Sequence, residues 1–422
     1  MNRTQHTEPA AVTDTAEPPP KSGPAPADPT TGSGLVTAAR QALEGNVVLS
    51  VLAVVAALAV VAVLIAATDS AVQTALPYFF TRPTDTLTAA GDAVGGAYSA
   101  LFQGGVYDFG GTGFHPLLVS LGFATPLIAA GLGSAVAFRT GLFNIGGQGQ
   151  ILVSGAGAGW IGFAVHLPTG LHLLAAVGGG LAAGAIWAGV AGVIKARTGA
   201  SEVILTIMLN YVAFYVLDYF LHTSLLQTPD SSNPVSPPEL PTAVFPSLFG
   251  SVLNLGFLFA LAAVGIAWWL LSRSTLGFRL RAVGENPDAA RTAGIDVRRT
   301  VVLSMLISGL FIGLGGAYQV LGQTTTGFTT SLDAGIGFNA ITVALLGRSR
   351  PGGVLAAGIL FGVFQTGGYA MQASQGVSID LVQVIQAVIV LFIAAPPLVR
   401  AIFRTPAPGT AAQRQRTKEA SA

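Results

Sequence analysis

The sequence predicts an all-α membrane protein of about ten spanning helices. Three observations carry the prediction. Hydrophobic residues make up 51% of the 422-residue chain and charged residues only 9%, against about 25% charged in a soluble domain. Mean hydropathy is +0.65. The apolar residues also gather in runs of roughly membrane length. This composition excludes a soluble globular domain and a disordered chain, and the lack of any cysteine excludes a disulfide-built module and thiolate metal sites. A formal net charge of +1 without a continuous basic patch argues against nucleic-acid binding.

Residues 1–46, rich in Pro, Ala, Thr and Ser, bury too little surface to offset chain entropy and read as a disordered cytoplasmic tail. Val47–Ala67 is too long and too far along the chain for the apolar core of a signal peptide, so it reads as the first span of a permanent membrane domain, 47–399. The further spans are Leu117–Phe138, Gly147–Val165, Leu173–Ile194, Val203–Leu221, Leu253–Leu271, Val301–Leu321, Ile336–Leu346, Val354–Met371 and Leu381–Val399. Ile336–Leu346 is shorter than the ~17–25 residues a span needs. Thr86–Phe102 is too polar to cross and reads as a short surface helix outside. Residues 400–422 read as a second disordered cytoplasmic tail.

Orientation follows from the basic residues. With the N-terminus inside, the cytoplasmic segments hold Arg139, Lys195, Arg197, six arginines from Arg273 to Arg299, Arg348, Arg350 and the tail from Arg400, leaving only Arg82 outside. Omitting the short eighth span would put Arg348, Arg350 and the basic C-terminal tail outside, so it is kept and both termini are cytoplasmic. Asp69, Asp85, Asp92, Asp108, Asp230 and Glu239 fall outside. The loop from His222 to Pro246 holds six prolines and should be irregular but stiff. Phe143-Asn144 and Phe338-Asn339 each open a glycine-rich stretch near a short helix, either as traces of two related halves or by chance recurrence.

The chemistry is sparse. There is no phosphate-binding G-x-x-x-x-G-K-[ST] loop and no H-E-x-x-H, and the five histidines are scattered. Neither a cofactor site nor a metal site is expected, and no catalytic set faces one cavity. Gly155-Ala-Gly157-Ala-Gly159 has the wrong spacing for a dinucleotide site and suits close helix packing. Acids are nearly absent from the spans, which disfavours ion coupling. Neutral amides stand there instead: Asn144, Gln148, Gln150, Asn210, Gln319, Asn339, Gln365 and Gln386. Each either lines a path for a polar uncharged solute or pairs neighbouring helices. Tyr211, Tyr215 and Tyr219 recur every four residues on one helix face, as an aromatic wall or as packing.

The inner loop, 273–299, holds one short helix, Pro287–Ala293. Asn286 caps it, Pro287 takes the first position, Asp288 suits the first turn and Gly294 stops it. Ala289, Ala290 and Ala293 form an outward face that a cytoplasmic partner could approach closely. As a plain connector the helix needs fewer stop signals than it has.

GLFNIGGQGQ (Gly141–Gln150), SEVILTIMLNY (Ser201–Tyr211), RAVGENPDAARTAGI (Arg281–Ile295) and GIGFNAITVALLGR (Gly335–Arg348) resemble the permease subunits of bacterial ABC importers. The group is the one with branched-chain amino acid, ribose and nucleoside systems, and nucleoside and simple-sugar permeases are most similar in wording. The resemblance runs from about Leu117 to Val399. It implies a type II importer-like permease in the cell membrane, paired with an identical or homologous permease. A cytoplasmic ABC ATPase would drive it and an extracytoplasmic solute-binding lipoprotein would deliver a small polar solute, a nucleoside first and a simple sugar next. It is then a transport subunit among membrane lipids, not an enzyme. The family's coupling helix maps onto Gly284–Gly294, with Arg281, Gly284, Asn286, Pro287, Ala290 and Gly294 as coupling residues. Asn144, Gln148, Gln150, Asn210, Tyr211, Gln319, Asn339 and Gln365 become path candidates. Gln148 departs from the pattern, since relatives commonly have Glu. The alternative is an ion-coupled secondary transporter of a similar solute.

Overall fold

The computed structural model describes residues 54–229, 231–248 and 252–394. The two expected tails, 1–46 and 400–422, lie outside the described residues, as do the ends of the Val47–Ala67 and Leu381–Val399 runs. Among the described residues there is no strand, only isolated bridges joining Asp108 to Gly113 and Ser247 to Asn254.

Among the described residues six helices are long and apolar enough to cross a membrane. They are α4 (His115–Arg139), α6 (Leu171–Thr198), α7 (Glu202–Leu221), α8 (Gly256–Arg273), α11 (Val297–Tyr318) with the turn that prolongs it, and α13 (Pro351–Gln375). A seventh candidate is bent: α1 (Val54–Thr68) meets α2 (Ser70–Ala75) and its following 3-10 turn at 62°. Asp69 makes the break, its side chain accepting from the amides of Ala71 (2.9 Å) and Val72 (3.0 Å) and starting a new helix in mid-run. Two expected spans do not meet that standard, glycine-rich α5 (Gly147–Ala164) and eleven-residue α12 (Ile336–Leu346). Of the Leu381–Val399 run the described part lies in α14 (Asp380–Ala394).

The stretch expected as a short surface helix is α3 (Pro83–Gly105), 23 residues long. It is not among the six, in keeping with its polarity, yet it joins the bundle. It runs antiparallel to the C-terminal half of α13, with Gly96 at Gln375, Leu101 at Gly367 and Gly105 at Val363. Small residues on one face let a helix too polar to cross by itself lie against one that can.

At the centre are α4 and α11, the most buried spans, while α7 and α8 are the least buried. Lipid tails give no hydrophobic drive for helices to associate, so close packing through small residues does it. Gly133 and Gly315 join α4 to α11 at Ser308 and Pro126, and Gly358 and Gly362 join α13 to α4. Gly184 and Gly309 bring α6 and α11 backbone to backbone, and a methyl at Gly309 would strike the Gly184 carbonyl. The proline-rich loop after α7 is clamped by buried His172. Its Nε2–H donates to the Ile161 carbonyl (3.0 Å), leaving Nδ1 to accept from the Thr242 hydroxyl (2.7 Å).

Candidate functional site

Two helices begin inside the bundle. After α4, residues 140–146 turn back beside it: Asn144 Nδ2 donates to Ser308 Oγ (3.0 Å), and Ser308 lies where Gly133 meets α11. Gly133 is six residues before the end of α4, so the segment re-enters by about 9 Å before α5 starts. After α11, residues 324–335 run antiparallel to α5, with Phe328 at Gly159 and Leu332 at Gly155, until α12 begins. The N-terminus of α12 then meets that of α5. A methyl on Gly337 would strike Gln148 and one on Gly147 would strike the Gly337 backbone. Helix N-termini carry partial positive charge, and here side-chain oxygens of Asn144, Asn210 and Asp333 accept from N–H groups at the two ends.

Amides buried in the bundle hold that junction in place. Asn144 Oδ1 accepts from Gly146 N (2.9 Å) and Gln150 Nε2 (3.2 Å). Asn210 Oδ1 accepts from Gly149 N (2.9 Å), and its Nδ2 donates to the Ile145 carbonyl (3.0 Å). Thr206 Oγ1 accepts from Ile145 N (3.3 Å).

Two openings flank α12. One, of about 500 Å³, is lined by Gln319, Gln323, Asn339, Gln365, Phe123 and Tyr369. Its two near glutamines sit on a π turn, Gln319–Gln323, that ends α11 and aims their side chains off the helical register. Gln365 Nε2 donates to Tyr369 Oη (3.1 Å). The other, of about 1000 Å³, is an open groove of Gln148, Asn210, Tyr211, Phe214, Tyr215 and Phe338. It continues along α7 over Tyr211, Tyr215 and Tyr219, all more than 60% exposed. Phe338 and Asn339, successive residues of α12, thus serve opposite sides. Both linings pair neutral amides with aromatic rings and hold no Asp, Glu, Lys or Arg.

Below, α9 (Thr275–Glu285) and α10 (Pro287–Thr292) form a helical shelf. Asn286 Oδ1 accepts from the amides of Asp288 and Ala289 (both 3.0 Å), and Pro287 occupies the first turn. At the other end Gly294 has φ +81°, Gly294 N donates to the Arg291 carbonyl (3.0 Å) and Ile295 N to the Ala290 carbonyl (3.0 Å). Gly284 rests on the Arg139 carbonyl, too close for a methyl, so α9 abuts the end of α4 from which the re-entrant segment starts.

Residues 117–394 match the family described as the branched-chain amino acid transport system / permease component. The chain belongs to this family. It is 38% identical over 319 residues to a guanosine ABC transporter permease of Bacillus subtilis, covering 74% of this chain and 89% of that one. A nucleoside ABC transporter permease of Lactococcus lactis is 38% identical over 64% of this chain and 76% of its own. A glucose ABC transporter permease of Haloferax volcanii is 34% identical over 64% and 73%. No solved structure matches. The chain is therefore a multi-pass membrane permease subunit of an ABC transporter, a transport component that works with an ATPase and a solute-binding protein.

For this permease the geometry revises several expectations. Asn144 and Gln150 are 0% and 1% exposed, bond each other and line neither opening; Asn210 borders the groove, but both its amide atoms are engaged. Ala290, expected on the outward face, is 4% exposed, because α10 must turn one face onto α9 and α11. Ala289 and Ala293 are the exposed ones. The helix expected to couple, α10, ends at Thr292, with Ala293 as its cap.

Two buried acids are not among the candidate residues of the sequence, Asp333 in the segment beside α5 and Glu239 in the loop after α7. Asp333 starts α12, its carboxylate accepting from Gly337 N (2.9 Å) and Gly335 N (3.1 Å). Glu239 is set against Gly159, Gly162 and Phe328 without a hydrogen-bond partner for either oxygen among the described residues. Burial pushes its carboxyl up to about 8. A folded-state value above the unfolded one means stability fully present below about pH 4.5 and lost progressively as pH rises to 8. Glu239→Gln is therefore expected to flatten the melting-temperature profile between pH 5 and 8 and to raise stability at pH 8 by a few kcal/mol, read as thermal unfolding of the full chain in detergent.

Proposed function

We propose that this permease imports a nucleoside, through a path it completes with a second permease. The 38% identity to a guanosine permease across 89% of that protein carries the reading. The neutral, aromatic lining supports it: ring faces stack on bases, and amides bond ribose hydroxyls and base edges without needing a counter-charge. A simple sugar is the second reading, favoured by the glucose permease relative. The solute would be brought by an extracytoplasmic lipoprotein.

The thinly covered α7 face, with Tyr211, Tyr215, Gln148 and Phe338, would meet the second permease, and the path would run past the junction of α5 and α12. Ten crossings with both termini inside remain the topology proposed, α12 crossing with the turn-rich segment 324–335 before it. ATP-driven movement of the ATPase would press on α10. α9 would pass that push through Gly284 to the end of α4, the re-entrant segment and the N-terminus of α5. The neutral amides and rings would then bind the solute differently in outward- and inward-open states, as a population shift requires.

With the complete importer expressed in a host lacking its own nucleoside uptake, labelled guanosine should accumulate and excess unlabelled adenosine or uridine should compete. A hundredfold excess of glucose should not. Competition by glucose alone would replace the nucleoside reading with the sugar one. Uptake that ignores ATP depletion but stops with a protonophore would overturn the ATP-driven mechanism.

A further inference from the structure

We infer that the cleft at the inner ends of α4, α8, α9 and α13 binds the headgroup of an anionic phospholipid. Arg139, Arg281 and Arg350, from three different helices or their ends, line one opening of about 1020 Å³. Among the described residues none of the three has a salt bridge, and Arg139 is fixed only by its Nε–H donating to the Ser349 carbonyl (3.0 Å). Arg139 is partly desolvated and is repelled by the charges of Arg350 and Arg281, a cost that an anion between them removes. A phosphodiester presents two bare oxygens, which suit the planar fork of a guanidinium. The first turn of α13, with Gly352 and Gly353, completes the floor and leaves room for that approach.

Free phosphate would meet the same groups, but the walls favour a lipid. Trp268 and Leu271 of α8 form one side. Trp268, which lines the cleft, is half exposed, as are Ile266 and Trp269 elsewhere on thinly covered α8. A thinly covered spanning helix with tryptophans near its inner end is a surface for acyl chains at the membrane interface, and a basic pocket between such helices on the cytoplasmic side suits an acidic headgroup. The inference holds whatever solute the permease carries.

The full chain, purified in non-ionic detergent, would be offered equal amounts of dioleoyl phosphatidylglycerol and dioleoyl phosphatidylcholine and weighed by native mass spectrometry. About tenfold preferential retention of phosphatidylglycerol is expected. Arg139→Gln with Arg350→Gln should bring retention down to the phosphatidylcholine level, while Arg298→Gln with Arg299→Gln, at exposed positions on α11, should leave the preference intact. Equal loss in both double variants would reduce the effect to overall charge and overturn the site. Displacement of the lipid by millimolar inorganic phosphate would assign the cleft to a free anion instead. Should the glutamine pair fail to fold, brominated phosphatidylglycerol gives the answer in otherwise unaltered protein. It should quench tryptophan emission more than brominated phosphatidylcholine does, and Trp268→Phe should remove that difference; an undiminished difference overturns the proposal.

Discussion

Arginine in place of both Ala289 and Ala293 is expected to lower ATP-driven uptake by more than about tenfold, or roughly 1.4 kcal/mol of coupling. The permease should still reach the membrane and melt within about 2 °C of the unaltered chain. Both alanines are exposed on α10, where no neighbour in the chain resists a longer side chain, so the substitution acts on whatever docks there. Ala290 gives the contrast. At 4% exposure it faces α9 and α11, and arginine there would bury an unpaired charge and deplete folded permease rather than uncouple it. Asn286→Ala lies between, since losing two amide bonds at the cap costs about 1 kcal/mol and loosens α10 without blocking its face. Uptake per folded molecule, with melting temperature in parallel, separates the three. Normal uptake in the Ala289 and Ala293 variant would remove α10 from the coupling role.

The helix α10 could be read almost whole from sequence because its signals are local: a cap, a proline, an acid in the first turn and a glycine stop act close together. Which alanine faced inward could not be read, because that depends on where α9 and α11 lie. The same division runs through the path. Neutral amides at Asn144, Gln150 and Gln319 look alike in sequence. Only tertiary position separates the first two, bonded to each other in a closed network, from Gln319 on a π turn beside an opening. Small-residue patterns announced close packing, but their polarity hid that α3 would lie along α13. The unusual brevity of Ile336–Leu346, resolved in sequence only through the charges that follow it, has its structural counterpart in the turn-rich segment beside α5 and in the meeting of two helix N-termini at Gly147 and Gly337.

That division yields the second large effect. Asn339→Leu combined with Gln365→Leu should cut uptake at least about tenfold while leaving the melting temperature near that of the unaltered chain. Both residues line the opening, and their removal takes a partner only from the Tyr369 hydroxyl oxygen, which accepts from Gln365 and stays exposed. Asn144→Leu should do the opposite. It strips partners from Gly146 N, Gln150 and Ser308 at once, each a buried polar group whose loss of a partner costs about 1–3 kcal/mol. Less folded permease should then reach the membrane, with uptake per surviving molecule changed far less. Thermal unfolding in detergent and uptake normalised to permease content measure the two effects independently. A stable Asn144 variant with failed transport would return Asn144 to the solute path and displace the opening beside the π turn from it. Unchanged uptake in the Asn339 and Gln365 variant would shift the path to the α7 groove, where Gln148, Tyr211 and Phe338 already stand together.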